Sequence, residues 1–571
     1  MDWRAPQTLT AGRAPPPDYY AANLRHLVAA INDRFLPLLD SDTRHFTLTL
    51  AELSTDAARL LARLLSRKGP VFREDRLCYD EVADQARALA ELSETGLIRI
   101  NGPERADLLL EQALLGELRC WFNLPPRARK RDVLPTLLGR HSDAQLRARL
   151  AGRLRWLSLC CQGAFERCQW LYFGDRYRDL SLFVTEDLGL LRYPRYRLSA
   201  PDWLTESPES LARHLQLRAL TACSHRLTGV DGRSRALAAA LAARLKPLAL
   251  SREQSQVRDR ALLRSGACLE RAQAPELALA AYAGAYCHPA RERQVRLLWR
   301  LGRQDAARTL QSRINASPWC AAEADFAARF QRRRRPLPRT RSLTLLGATP
   351  PRIEAFACAL LQQDGSTALH LENHLPRGLT GLLYWPIIYA SLPGAFTRPY
   401  QSAPNDLHWP DFARHRNKQI QRFERSLQRG LNGDPDRLRQ LLYKRLEQHQ
   451  GSANPLVHWG LWQSSFIDLL LRHVPIDRLL GLAAFVIRNL DGYRTGFPDL
   501  LVLGPQPARF ELLEVKGPND ALAGHQRRWL AELERLGWPV QVLKLKAPPA
   551  HALGTPAALK AAPARSGTGV G

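Results

Sequence analysis

The sequence predicts a multidomain, mainly α-helical protein closed by an α/β unit near its C-terminus. Its 571 residues exceed what one hydrophobic core supports and imply about three to five domains. Between residues 20 and 330 apolar side chains recur at helical spacing. From Ser342 onward short apolar runs bounded by Gly/Pro turns alternate with helical ones, which is α/β patterning. Hydrophobic content of 45% with 24% charged residues is ordinary for folded protein.

Tyr20 to Leu39 and Leu50 to Ser66 carry helical periodicity. They are followed by Arg67-Lys68-Gly69-Pro70-Val71-Phe72-Arg73, a further helical run to Leu92 and a short strand, Leu97-Ile98-Arg99-Ile100. We read residues 1–105 as a helical, winged-helix-like DNA-binding region, with Arg67, Lys68 and Arg73 touching phosphate; ordinary helix packing is the alternative. Residues 106–142 predict a helix (Leu108 to Phe122), a break at Leu124-Pro125-Pro126, and a second helix (Lys130 to Leu138). This helix–loop–helix resembles a SAP module. Its loop residues Arg127, Arg129, Lys130 and Arg131 are candidate contacts to the DNA backbone, which fix position without reading sequence. A helical hairpin with solvated arginines is the alternative.

Residues 143–341 are almost entirely helical in pattern, with helices at Pro275 to Tyr286, Ala290 to Leu301 and Gln304 to Ile314. Ala278, Ala280, Ala281, Ala283, Ala306 and Ala307 allow close helix approach, so this stretch is expected to be a tetratricopeptide-like scaffold. Gln331 to Arg339, basic and proline-punctuated, marks a domain boundary. Residues 342–546 form the α/β unit, opening with a strand (Ser342 to Leu346) and a helix (Ile353 to Gln362). The Ala/Pro/Gly-rich residues 547–571 are expected to be disordered.

Charge narrows the function class. A formal net charge of +27 and a pI near 10.3 attract polyanions. Arginine excess also follows from a GC-rich genome, but nucleic acid is the leading partner. The segment Met1-Asp2-Trp3-Arg4-Ala5-Pro6 has no secretory h-region, and no apolar run approaches the roughly 20 residues of a membrane span. The ten cysteines are scattered, with Cys160-Cys161 and Cys168 as the only cluster, which predicts reduced thiols in a cytoplasmic protein. No membrane and no small-molecule cofactor is expected, and oligomeric state is not encoded.

One segment carries chemistry. Gly496-Phe497-Pro498-Asp499 precedes the strand-like Leu500-Leu501-Val502-Leu503, and Phe510-Glu511-Leu512-Leu513-Glu514-Val515-Lys516-Gly517 follows a Gly504-Pro505-Gln506-Pro507 turn. Folding back at Gln506/Pro507 sets Asp499 opposite Glu514. Alternation puts Glu514 and Lys516 on one face and Val515 on the other. Two carboxylates suit a hard, oxygen-seeking cation such as Mg2+, and a lysine beside them helps activate water. Charged residues at a hairpin end are also commonly a solvated rim.

Further segments join the hairpin: Leu371-Glu372-Asn373-His374, Gly381-Leu382-Leu383-Tyr384-Trp385, and Pro393-Gly394-Ala395-Phe396-Thr397-Arg398-Pro399-Tyr400 running on to Asn405-Asp406-Leu407. With Gly496 to Leu500 and Glu514 to Asp520 they closely resemble the Fanconi-anaemia-associated nuclease family. Its members end in a VRR-NUC domain of the PD-(D/E)xK superfamily, and the likeness of domain order spans nearly the whole chain. The resemblance implies that Glu372 (a helical glutamate), Asp499, Glu514 and the Val515 carbonyl bind metal, Mg2+ or Mn2+. Lys516 would then activate water, and Gln526 would assist from the following helix. It further implies a 5′ flap endonuclease and 5′→3′ exonuclease acting on branched or flapped double-stranded DNA in interstrand-crosslink repair, within the bacterial cytoplasm at the nucleoid. Pro386 stands where the family usually has an acidic residue, so a helix kink is expected there. His525 stands where eukaryotic members carry a lysine that helps hold a 5′ phosphate.

Trp459, Trp462, Phe466 and Leu469, in a helix after Pro455, are expected in the core. Asp520 is expected to cap the helix that follows it, and His374 and His458 to pack on apolar helices. The rival readings are a catalytically inert DNA-binding adaptor and a restriction- or Holliday-junction-type nuclease.

Overall fold

A computed structural model describes residues 18–126, 129–174, 180–196, 198, 207–248, 250, 252–330, 339–344, 352–362 and 365–546. Arg127, most of the basic boundary segment and the C-terminal tail lie outside these residues. The chain divides into two compact units. The first takes residues 1–193, 197–211 and the short segment 397–401; the second takes the rest.

The first unit opens with helices Tyr19–Phe35, Ser41–Glu52 and Thr55–Ser66. The periodicity predicted two helices there. Pro37 ends the first in a single tight turn, and Leu53 is extended. Asp40 and Ser54 then cap new starts by accepting from Thr43 N (2.8 Å) and Ala57 N (3.3 Å). Three short strands follow: β1 (Val71–Arg73), β2 (Ile98–Ile100) and β3 (Trp156–Leu159). Strand β3 lies between the other two and is antiparallel to both. This strand was not foreseen, because the surrounding pattern is helical and its partners are distant in sequence.

Between β2 and β3 sit helices Ala106–Gln112, Leu115–Phe122, Lys130–Arg140 and Asp143–Ala151 around Leu109, Leu118, Leu137 and Leu146. The helix expected over 108–122 is broken at the extended residues Ala113 and Leu114. Lys130 Nζ donates to the freed carbonyls of Glu111 (2.7 Å) and Ala113 (2.8 Å).

Two of the three Lys130 N–H groups are therefore committed to helix-end carbonyls, and burial lowers its pKa. The expected DNA contact at Arg73 is corrected. It is buried on β1 and paired with Asp75 (2.6 Å) and Glu117 (2.5 Å), which leaves it nothing to offer phosphate. Arg67, Lys68, Arg129 and Arg131 are exposed. Tyr400, from the segment 397–401, is buried in this unit among Tyr172, Phe173, Phe183 and Tyr193, with ring centroids 5.2–6.2 Å away.

The second unit carries a succession of helices, Gly232–Leu245, Arg252–Arg271, Pro275–Ala283, Ala290–Arg300, Gln304–Ala316 and Ala321–Phe330, each packing on the next. Ala278, Ala281 and Ala307 are buried as the spacing predicts, whereas Ala280, Ala283 and Ala306 face solvent. Close approach is literal at Gly266, where a Cβ would lie 2.6 Å from the Tyr282 ring.

A five-stranded sheet follows, in the order β4-β8-β7-β6-β5, from β4 (Thr340–Thr344), β5 (Thr367–His370), β6 (Leu500–Leu503), β7 (Phe510–Lys516) and β8 (Val540–Lys546). Strands β5, β6 and β7 are antiparallel neighbours, and β8 joins β7 and β4 in parallel. Leu500, Val502, Leu513, Val515 and Leu543 form one face beneath the helix Ile353–Leu361. Alternation turns Leu501, Leu512, Glu514 and Lys516 to the other face. Helix Gly524–Arg535, with Trp529, Leu530 and Leu533 buried, covers that side.

Residues 371–499 form a helical insertion between β5 and β6. Its first helix, His374–Leu383, breaks at Tyr384 before the short helix Trp385–Ile388, at the place where Pro386 predicted a kink. Trp462 is fully buried, so close to Gly378 that any Cβ there would collide with its indole. Trp462 and Phe466 are core as expected, but Trp459 and Trp462 lie in an irregular segment, because the helix starts only at Ser464. His458 is likewise in a loop, exposed, with its ring 4.8 Å from that of His374.

Deep in the insertion Arg416, fully buried and stacked 4.0 Å over Phe412, binds Asp406 through Nη1–Oδ2 (2.5 Å) and Nη2–Oδ1 (2.9 Å). Arg416→Met leaves the Asp406 carboxylate buried without its guanidinium partner. The expected loss is about 3–5 kcal/mol, read as a lowered urea midpoint for the transition followed by near-ultraviolet circular dichroism.

Candidate functional site

The β6–β7 hairpin has the register expected from its turn: Leu500 faces Leu513 and Leu503 faces Phe510. Extending that ladder by one residue sets Asp499 opposite Glu514. Asp499 Oδ2 accepts from the Val515 amide at 2.8 Å, while its carbonyl receives Leu371 N (3.0 Å) and Glu372 N (3.3 Å). One residue thus ties β7 to the loop leaving β5. That loop places Glu372 in a turn before helix His374–Leu383, not within the helix as expected. Its φ of +39° is a backbone state that side-chain-bearing residues rarely adopt. Asn373 fastens the same turn by accepting from Phe497 N at 3.2 Å.

Glu514 is completely buried. Its Oε1 accepts from Lys516 Nζ at 2.7 Å and from Gln526 Nε2 at 2.5 Å. Gln526 is oriented by its own helix start, where its Oε1 takes the Ala523 amide at 2.9 Å and so turns the NH2 towards Glu514. The other Glu514 oxygen, Oε2, is buried with no hydrogen-bond partner among the described residues. Burial pushes the Glu514 pKa up to about 7, and the neighbouring Asp499 charge adds to the rise, against the pull of Lys516. Asp499 is raised for the same first reason, burial, and the charges of Glu354 and Glu372 add to it.

The structure therefore gathers Glu372, Asp499, Glu514, Lys516 and Gln526, with Val515 on the strand between Glu514 and Lys516. It also brings in two residues that sequence reasoning missed. His370, the last residue of β5, lies 3.3 Å from Glu372, and ligand atoms of His370, Glu372 and Asp499 all fall within 4.8 Å of one another. Glu354, in the first turn of helix Ile353–Leu361, adds negative potential to both Asp499 and Glu514. The signal for His370 was its place two residues before Glu372 at a strand end. For Glu354 it was an acidic residue opening the helix before the sheet.

Asp520 does not cap the following helix. It closes the turn after β7 by accepting from Gly517 N at 3.1 Å. Gly496 is a site requirement: its φ is +95°, and a Cβ would come within 2.4 Å of His525 and 3.1 Å of the Gln526 nitrogen. His525 itself is lowered in pKa by burial and then by the Arg528 and Lys516 charges.

Oxygen donors converging from β5, β6 and β7 make a hard-cation site. Two carboxylates forced together in a buried setting, one with an unpartnered oxygen, fit a divalent ion, which would compensate their repulsion.

Comparison with known proteins agrees with this geometry. The family model described as FAN1, HTH domain, matches residues 18–99, and the VRR-NUC domain model matches residues 434–547. The Fanconi-associated nuclease 1 homolog of Pseudomonas aeruginosa is 30% identical over 571 residues, covering 95% of this chain and 98% of that one. Human Fanconi-associated nuclease 1 is 32% identical over 193 residues, which are 33% of this chain and 19% of the human one. The crystal structure of paFAN1 bound to 2nt 5′ flap DNA with gap superimposes with a TM-score of 0.82 at 28% identity, over 94% of this chain and 99% of that one. A likeness of 30% identity sustained over 95% of this chain and 98% of its relative shows that the chain belongs to the Fanconi-associated nuclease 1 family.

Proposed function

We propose that the chain is a divalent-metal-dependent, structure-specific DNA nuclease. It hydrolyses phosphodiester bonds near 5′ flaps and branches, as a 5′ flap endonuclease and 5′→3′ exonuclease, in interstrand-crosslink repair. The observation that carries this reading is the pairing of buried Glu514 with half-buried Asp499 across the hairpin, with Lys516 held 2.7 Å from Glu514. A relative crystallised with 5′ flap DNA supports the choice of substrate.

Asp499, Glu514 and Glu372, with His370 beside them and the Val515 carbonyl, would hold Mg2+ or Mn2+. Such an ion, when bound, polarises a phosphoryl oxygen and lowers the pKa of water. The protein's own groups do the rest. Gln526 and Lys516 fix the Glu514 carboxylate in one orientation, and the Lys516 ammonium offers a positive charge where anionic oxygen develops. Exposed Arg67, Lys68, Arg129 and Arg131 serve as phosphate contacts, with residues 106–142 as the SAP-like module. The helical array acts as a tetratricopeptide-like scaffold.

Lys516→Ala and Glu514→Gln each lower single-turnover cleavage of a 5′ flap by about 10²–10⁴-fold. Flap binding by fluorescence anisotropy stays within about threefold of wild type, since these groups act on the reacting bond and not on the bulk of the backbone. Wild-type cutting rates in both variants would refute the assignment.

Glu514 must lose its proton to accept a cation, and that proton leaves near pH 7. Below that pH, Mn2+ affinity should fall by about tenfold per unit, with one proton released per ion; above it, affinity should level off. Calorimetry in buffers of different ionisation enthalpy, at about pH 6 and about pH 8, reads both quantities. Glu514→Gln should weaken binding and flatten the pH dependence.

A further inference from the structure

Helix Asn417–Leu431 of the insertion has two unlike faces. Ile420 and Leu431 are buried and Phe423 and Leu427 partly so, with the Phe423 ring 5.2 Å from that of Tyr384. Its one acidic residue, Glu424, is taken up by Tyr384 Oη (2.6 Å) and Arg488 (2.5 Å). The outward residues Lys418, Arg422, Arg425 and Arg429 follow one another at intervals of four, three and four. That spacing puts them on a single face about 16 Å long at 1.5 Å per residue.

All four are exposed, and among the described residues none lies within ion-pair distance of a carboxylate. On the array helices, by contrast, Arg296, Arg300, Arg303 and Arg308 each hold a carboxylate of their own. Arg425 and Arg429 direct Nε to the carbonyls of Gln421 and Arg425, both at 3.3 Å, which lays the guanidinium groups along the helix flank. The remaining outward residues, Asn417, Gln421, Ser426 and Gln428, are uncharged. Like charges at these intervals repel, and nothing on the helix relieves them. The apolar face is spent inwards, so the helix lacks the exposed apolar side that seats an interfacial helix in a membrane.

We propose that this face is a contact surface for the duplex DNA backbone, built from residues other than those of the carboxylate site. It rests on the reading that the protein acts on DNA. Duplex DNA presents one negative charge per about 1.7 Å of axis, so a row of this length meets several phosphates. Such contacts fix the duplex without reading its sequence.

The test is K418Q/R422Q/R425Q/R429Q in the full-length protein, whose exposed sites leave the core untouched. A control variant, R296Q/R300Q/R303Q/R308Q, removes the same net charge from paired positions. Salt titrations of flap-duplex binding should show the slope of log K against log salt reduced by about 3–4 in the first variant and nearly unchanged in the control. Affinity at low salt should fall by more than about tenfold in the first variant, with the single-turnover rate at saturating DNA within about twofold of wild type. R422K/R425K/R429K, which keeps the charges, should restore the slope. Equal slopes in the two glutamine variants would overturn the proposal. A wild-type protein that binds but never cuts would sink the nuclease reading and leave this comparison intact.

Discussion

Asp499 is the residue through which the site is assembled. Its carboxylate takes the Val515 amide and its carbonyl takes Leu371 and Glu372. Three segments far apart in sequence are thereby fixed to about the precision of a hydrogen bond. The arrangement depends on hairpin register, since a slip of one residue would send Glu514 and Lys516 to the face that now buries Leu513 and Val515. Burial first, and then the neighbouring Asp499 charge, raise the pKa of Glu514, so holding both carboxylates ionised here is unfavourable without a cation. The remainder of the sheet must hold them there.

That support comes from both faces. Helix Ile353–Leu361 packs an apolar layer beneath the sheet and brings Glu354 towards the carboxylates. Helix Gly524–Arg535 covers the other face and supplies Gln526. An ion pair from Arg528 to Asp325, on the array helix Ala321–Phe330, ties this second helix to the array within the unit. The insertion between β5 and β6 adds a buried Arg416–Asp406 pair that fixes its own shape, while its outward helix carries unpaired positive charge. Buried ion pairs in this unit specify geometry.

Some of this was legible in the chain. The Gly504-Pro505-Gln506-Pro507 turn and the two apolar runs fixed the register that sets Asp499 against Glu514, because hairpin pairing is local and side chains alternate. Helix periodicity located the array helices to within a few residues. The misses share one cause. Strand β3, the burial of Arg73 and the capping role of Lys130 all arise from partners that lie well apart in sequence. An arginine in a basic loop looks the same in sequence whether it meets phosphate or a distant glutamate.

By itself, then, the sequence determined the local matters: where the array helices and the two hairpin strands run, where the hairpin turns, and that the chain is strongly basic. Periodicity, turn chemistry and charge are properties of neighbouring residues and survive without a fold. Only the tertiary structure decided that His370 and Glu354 join the carboxylates, that Glu372 stands in a strained turn, and which arginines are free. Those outcomes depend on contacts closed across long stretches of chain, whose desolvation and pairing exist only once the sheet and its insertion are packed.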